Sequence, residues 1–259
     1  MSSSPPLVLT FAAADPTSGA GLQADVLAIA AMGCHPLSVL TGYTVQDTRG
    51  VAALVAVEPR RIHEQAQALL AEMKVSVFKL GVLGSAANVA AVAAILAEHR
   101  DVPVVLDPVL ASGRGDPLAD DEMIAALRGL VVPRTMIATP NSIEARRLGG
   151  ADALLALGCR YVLVTGAHEA GDEVVNTLHG GSGVIRADRW QRLPASYHGS
   201  GCTLASSIAA GLALGRDIVD AVAEGQRYTW QTLAAGFRPG KGQFIPERLY
   251  AARRSESGR

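Results

Sequence analysis

Val104-Val105-Leu106-Asp107-Pro108-Val109 reads as an apolar strand that ends on an acid and is stopped by proline. A strand without polar alternation is covered on both faces, which is the habit of parallel sheets flanked by helices. Ile137-Ala138-Thr139-Pro140-Asn141-Ser142-Ile143-Glu144 repeats the arrangement one unit later. Outward from these two runs, short β-branched stretches alternate with longer helical patterns along the whole chain. Leu7 to Phe11, Leu37 to Val45, Val51 to Val57, Val75 to Leu80, Val102 to Leu106, Thr135 to Ala138 and Tyr161 to Thr165 read as strands. Leu22 to Met32, Arg60 to Met73, Asn88 to His99, Asp120 to Leu130, Cys202 to Leu214 and Ile218 to Ala235 read as helices, with short ones at Ser142 to Leu148 and Asp152 to Leu157. Pro59 suits a helix start, where its missing donor costs nothing. Val174 to Leu178 and Gly183 to Asp188 read as an antiparallel pair. The pattern predicts an α/β protein, a three-layer α/β/α sandwich on a mostly parallel sheet.

The 259 residues suit one α/β domain over 1–259, with residues 1–6 and 252–259 expected to fray. Hydrophobic residues at 49% against 18% charged support a large core, and aromatics at only 4% suit close helix-on-sheet packing. A formal net charge of −1 argues against nucleic acid or an acidic membrane as partner. No apolar run reaches the roughly 18–20 residues of a membrane span, and Met1 to Pro6 lacks the order of a secretion signal. Cys34, Cys159 and Cys202, odd in number and far apart, make neither a disulfide framework nor a zinc site, so a reduced, cytoplasmic setting is expected.

In parallel sheets ligands bind beyond the carboxyl ends of the strands, and the polar, Gly-rich segments fall at those ends. His198-Gly199-Ser200-Gly201-Cys202-Thr203 precedes an apolar helix. Its glycines let backbone N–H groups converge, and a helix N-terminus adds partial positive charge, giving an anion hole for phosphate or an oxyanion. The same field is expected to lower the Cys202 pKa, making it a base or nucleophile; a plain helix start with a buried cysteine is the alternative. Spacing shows no histidine–acid pair beside Cys202, and it gives His168 and His198 no metal-ligand pairing.

Asp15-Pro16-Thr17-Ser18-Gly19-Ala20-Gly21 could cradle phosphate, although it matches neither Gly-x-Gly-x-x-Gly nor a Walker A loop. Asp25, expected in the first turn of the next helix, either complements the dipole or hydrogen-bonds a ligand ring or amine. Gln46 carries both donor and acceptor and suits a pyrimidine or pyridine edge, or is an exposed turn residue. Asp107 at a strand end could hold Mg²⁺ through water. Asn141 and Glu144 fit a capping box as well as they fit metal or nucleotide contact.

Together, Asp15 to Asp25, Thr44-Val45-Gln46-Asp47-Thr48, Leu106 to Val109, Thr139-Pro140-Asn141, Glu144-Ala145 and His198 to Leu204 resemble the ribokinase-like superfamily. Within it they resemble the hydroxymethylpyrimidine/phosphomethylpyrimidine kinases of thiamine biosynthesis, from about Val8 to Phe244. The resemblance implies phosphorylation of 4-amino-5-hydroxymethyl-2-methylpyrimidine, then of its monophosphate, with ATP and Mg²⁺. It implies an anion hole at Gly199, Ser200, Gly201 and Cys202, with Cys202 activating the substrate hydroxyl. It further implies a pyrimidine site at Asp25, Gln46, Ala13 and Val82, nucleotide contacts at Asn141, Thr165 and Gly166, metal contacts at Asp107 and Glu144, and a homodimer.

The chain departs from the family pattern at three places. Ala12-Ala13-Ala14-Asp15 replaces Ala-Gly-Ser-Asp, Lys79-Leu80-Gly81-Val82 replaces Lys-Thr-Gly-Met, and Thr165 stands where a phosphate-binding lysine is usual. Two rival readings follow: a kinase of the same fold acting on pyridoxine or pyridoxal, and a non-catalytic protein that senses the pyrimidine.

Overall fold

A computed structural model describes residues 4–256. In chain order the strands are β1 (Leu7–Ala14), β2 (His35–Asp47), β3 (Gly50–Ala56), β4 (Val77–Leu80), β5 (Val104–Leu106), β6 (Ile137–Ala138), β7 (Tyr161–Val164), β8 (Glu173–Gly180) and β9 (Gly183–Gln191). The α-helices are α1 (Gly21–Ala31), α2 (Pro59–Leu70), α3 (Ala86–Glu98), α4 (Asp121–Ala126), α5 (Ser142–Arg147), α6 (Ala151–Ala156), α7 (Ser200–Ala213), α8 (Ile218–Ala234) and α9 (Tyr250–Glu256). The fraying expected at both ends falls partly on residues outside the described range; within it, the C-terminal segment is helical as α9.

One sheet runs in the order β3-β2-β1-β4-β5-β6-β7-β8-β9. β1, β2, β4, β5, β6 and β7 are parallel, while β3 at one end and β8 and β9 at the other join antiparallel. The helix expected over Asp120 to Leu130 is shorter: α4 passes into a wider π turn at Leu127–Val131 and a 3-10 turn at Val132–Arg134. Pro133, which cannot donate to a helical carbonyl, sits where the helix ends.

Strand alternation sends side chains to two cores. Leu9, Phe11, Phe78, Leu80, Val104 and Leu106 pack with Ile62, Val92 and Ile95 of α2 and α3. Val8, Val77 and Val105 face Ile29 of α1 and Ile208 of α7. The second face also carries Thr10 and Lys79, register partners on β1 and β4. These two polar residues, buried within otherwise apolar strands, point beneath the site.

Candidate active site

A cavity of about 530 Å³ opens at the carboxyl ends of the parallel strands. Ala13 and Ala14 reach it from β1, Thr44 and Gln46 from β2, and Val82, Asp107, Thr139 and Thr165 from the segments that follow β4 to β7. Of the residues singled out in the sequence, Ala13, Gln46, Val82, Asp107, Asn141, Glu144, Thr165 and Gly199 to Cys202 line this one space. A register shift at Val45/Gln46, where β2 pairs with β3, sits beside the Gln46 side chain; such bulges re-aim side chains.

Asp25 does not line the cavity. α1 begins at Gly21, which carries Asp25 past the first turn, and its side chain is fully buried under the floor. Its Oδ1 accepts from Lys79 Nζ at 2.8 Å and Ser206 Oγ at 2.8 Å, and its Oδ2 accepts from Thr10 Oγ1 at 2.7 Å and Lys79 Nζ at 2.9 Å. The carboxylate is therefore committed to an ion pair with Lys79 rather than presented to a ligand. Burial works against the Lys79 charge, but Asp25 and the other acids around it raise its pKa, so the lysine stays charged.

The Asp15 to Gly21 segment is not a phosphate cradle, because Asp15 fills it. The carboxylate accepts from Thr17 N at 2.8 Å, Thr17 Oγ1 at 2.9 Å and Ala20 N at 2.8 Å, and it meets His198 Nε2 at 2.8 Å. Burial alone would raise the Asp15 pKa, but His198 and these amides hold it below the usual carboxylate value. The histidine–acid pair absent from the sequence spacing thus exists across 183 positions, and it ties this loop to the Gly199 turn.

Gly199 is the N-cap of α7, with φ of 80°, and a Cβ there would lie 1.9 Å from Gly19 O. Only glycine allows this conformation and this approach. α7 has no side-chain cap, so its first N–H groups, at Ser200, Gly201 and Cys202, are donors without intrahelical partners. Those three residues line the cavity. A Cβ on Gly201 would meet only the Asp107 carboxylate, at 3.7 and 3.9 Å, so the space above it is open.

The expected lowering of the Cys202 pKa is reversed. Burial and the negative charge of Asp107 push the thiol up to about 12, against which Lys79 pulls only in part. The helix dipole, worth roughly 0.3–1 kcal/mol at its end, is outweighed by desolvation. Cys202 is 8% exposed and hydrogen-bonds the Asp107 carboxyl.

Asp107 Oδ2 is buried without a hydrogen-bond partner, 4.0 Å from Lys79 Nζ. Glu144 differs: its Oε1 accepts from Leu110 N at 3.2 Å and its Oε2 from Asn141 N at 2.9 Å, while Asn141 Oδ1 accepts from Ile143 N and Glu144 N at 2.9 Å each. The capping box accounts for both residues, and burial, then the Asp107 charge, pushes Glu144 up to about 8. Of these two acids, only Asp107 keeps a carboxylate oxygen without a hydrogen-bond partner, while both Glu144 oxygens are taken. No group of three His, Cys, Asp or Glu residues capable of holding a metal by itself exists among the described residues.

Gly166 lies behind the wall: its N–H donates to Asn176 Oδ1 at 3.1 Å, and a Cβ would lie 2.4 Å from Val175 O. Thr165 does reach the cavity. Beyond it stands a wall that the sequence reading missed. Trp190 and Trp230 stack with ring centroids 6.4 Å apart, and both line the space. Gln226 holds Trp190 in place, its Oε1 accepting from Trp190 Nε1 at 3.1 Å and Asn176 Nδ2 at 2.9 Å, its Nε2 donating to Asp188 Oδ2 at 2.8 Å, while Trp230 Nε1 donates to Gln191 O at 3.0 Å. These are the chain's two tryptophans, and their scarcity was the available signal.

A cleft of converging amides and acids at the carboxyl edge of a doubly covered parallel sheet is the arrangement of the ribokinase-like kinases. Residues 15–247 match the family described as phosphomethylpyrimidine kinase, and the chain belongs to that family. It is 38% identical over 254 residues to a hydroxymethylpyrimidine/phosphomethylpyrimidine kinase of Streptomyces coelicolor, covering 92% of each chain. Among solved structures it is similar to the phosphomethylpyrimidine kinase of Clostridium difficile, with a TM-score of 0.77 and 30% identity over 88% of this chain and 99% of that one. The pyridoxal kinase of Bacillus subtilis, solved with ADP, superposes with a TM-score of 0.89 over 96% of this chain and 99% of its own; at 23% identity it shares the fold.

Proposed function

We propose that this chain uses ATP and Mg²⁺ to phosphorylate 4-amino-5-hydroxymethyl-2-methylpyrimidine and then the resulting monophosphate, as a kinase of thiamine diphosphate biosynthesis. The observation that carries the reading is the open turn at Ser200 to Cys202, facing Asp107 in a cavity that also holds Gln46. Family membership supplies the substrate class.

In this reading the pyrimidine ring rests against Ala13 and Val82, and the Gln46 amide pairs with its edge. The hydroxymethyl oxygen lies toward Cys202. The adenine lies along Trp190 and Trp230, and the transferred phosphoryl group accepts from the N–H groups of Ser200, Gly201 and Cys202. Asp107 would hold a magnesium ion, which would supply positive charge against the nucleotide phosphates. Phosphoryl transfer asks mainly for positioning and charge stabilisation, so a thiol protonated at neutral pH can orient the hydroxyl without being a strong base.

The reading includes a cytoplasmic homodimer. Tyr43, Val45 and Val55, exposed on β2 and the edge strand β3, offer an apolar surface for a second copy. No helix among the described residues is long and apolar enough to cross a membrane. ADP release measured with ATP, Mg²⁺ and either the pyrimidine or pyridoxal tests the substrate. Turnover of the pyrimidine in clear preference is expected; robust turnover of pyridoxal alone would refute the reading, and tight pyrimidine binding without ADP would mark a sensor.

A further inference from the structure

Arg248 is 3% exposed, and no ion pair among the described residues includes its guanidinium. Its donors go instead to neutral oxygens: Nε to Thr203 Oγ1 at 3.0 Å, NH1 to Ser18 O at 3.3 Å, and NH2 to Gly19 O at 2.6 Å and Gly199 O at 3.4 Å. A buried cation without a carboxylate costs several kcal/mol of desolvation. The oxygens that hold this one belong to the two segments in closest contact at the site, the Asp15 to Gly21 loop and the Gly199 turn. The residue is itself fixed from behind, its carbonyl accepting from Tyr228 Oη at 2.8 Å and the preceding Glu247 N–H donating to Thr232 O at 2.9 Å. Arg248 stands one residue beyond the segment that matches the family.

The Gly199 carbonyl accepts from Arg248, from Thr203 N at 3.0 Å and from Thr203 Oγ1 at 2.8 Å. Its peptide partner is the Ser200 N–H, the first donor of the open turn. Hydrogen bonds to the carbonyl end of an amide polarise its N–H end, so a cation on Gly199 O strengthens the donor that faces the cavity. The same guanidinium fixes the distance between that turn and the Ser18-Gly19 loop. We propose that Arg248 is a positioning residue for phosphoryl transfer, holding the anion-binding turn against the Gly-rich loop and supplying positive charge behind its first amide. This rests on the reading of the chain as a kinase, and it makes the anion, rather than a protein carboxylate, the counter-charge of a buried arginine.

The test is full-length Arg248→Gln and Arg248→Lys beside wild type, assayed for kcat and both KM values well below each melting temperature, with inorganic phosphate affinity measured by calorimetry. For Arg248→Gln, kcat is expected to fall at least about tenfold with KM for the pyrimidine within about threefold, and phosphate affinity to fall about tenfold. Arg248→Lys, which keeps the charge and loses the fork, is expected to recover part of both. A folded Arg248→Gln with wild-type kcat and phosphate affinity overturns the proposal, as does loss confined to thermal stability. If Arg248→Gln does not fold, Thr203→Val decides: a kcat lowered threefold or more supports the proposal and wild-type kcat overturns it. A wild type that turns over no substrate refutes the kinase reading, and the phosphate affinities then decide the Arg248 proposal alone.

Discussion

Lys79 and Asp25 form a fully buried ion pair, with Nζ 2.8 Å from Oδ1 and 2.9 Å from Oδ2, directly under the floor of the cavity. Lys79 also faces Asp107 at 4.0 Å, so the pair sets the charge balance beneath the acid that points into the site. Removing one partner leaves the other charge uncompensated, which costs about 3–5 kcal/mol. Lys79→Met and Asp25→Ala are each expected to lose that much in denaturant unfolding. A KM increase for the pyrimidine at wild-type stability would instead return Asp25 to the role of ligand contact.

Gly199 and Gly201 are expected to respond in opposite ways to alanine. Gly199→Ala puts a methyl group into Gly19 O and should unfold the turn, seen as a large fall in melting temperature. Gly201→Ala meets only Asp107 and should fold within about 1 kcal/mol of wild type, while kcat drops about tenfold or more as the methyl group fills the phosphate space. Full activity in Gly201→Ala would show that the turn does not hold the phosphoryl group.

Cys202→Ala is expected to lower kcat by about 10²-fold, because the protonated thiol no longer orients the substrate hydroxyl. Because burial and Asp107 push the thiol up to about 12, iodoacetamide should label it slowly at neutral pH and faster only in strong alkali. Rapid stoichiometric labelling of Cys202 at pH 7 would contradict this electrostatic picture.

Glu144, pushed from 4.5 to about 8 by burial and the Asp107 charge, holds its proton in the folded state more tightly than in the unfolded chain. The folded protein thus binds more protons between these values, and its contribution to stability, complete below about pH 4.5, is lost as pH rises through about 8. Unfolding free energy measured across that range should fall with pH, and Glu144→Gln should flatten the slope. An unchanged slope in the variant would place the dependence elsewhere.

The layered fold was legible because Val104-Val105-Leu106 and its counterparts are apolar on both faces, and the β8–β9 pair read as antiparallel, whereas the antiparallel pairing of β3 on β2 was not read from the sequence. The amide turn at Gly199 to Cys202 was legible for the same local reason. Asp25 was misread because a helix start one turn away decides whether a carboxylate sees solvent or core. A lysine inside Val77-Phe78-Lys79-Leu80 was the clue to its partner, since a buried strand admits a cation only with an acid to meet it. The Asp15–His198 and Arg248–Gly19 contacts, 183 and 229 positions apart, have no local pattern, and only the closed fold reveals them. The Cys202 pKa went the other way because desolvation depends on packing that a helix start alone does not specify.

The open turn of α7 is proposed to hold the phosphoryl group that passes to a hydroxymethylpyrimidine. Following the pyrimidine by ³¹P NMR in the presence of ATP and Mg²⁺ tests it most directly. The account predicts a monophosphate ester signal that gives way to a diphosphate; ATP left intact beside an unmodified pyrimidine, in a folded protein that binds both, would contradict it.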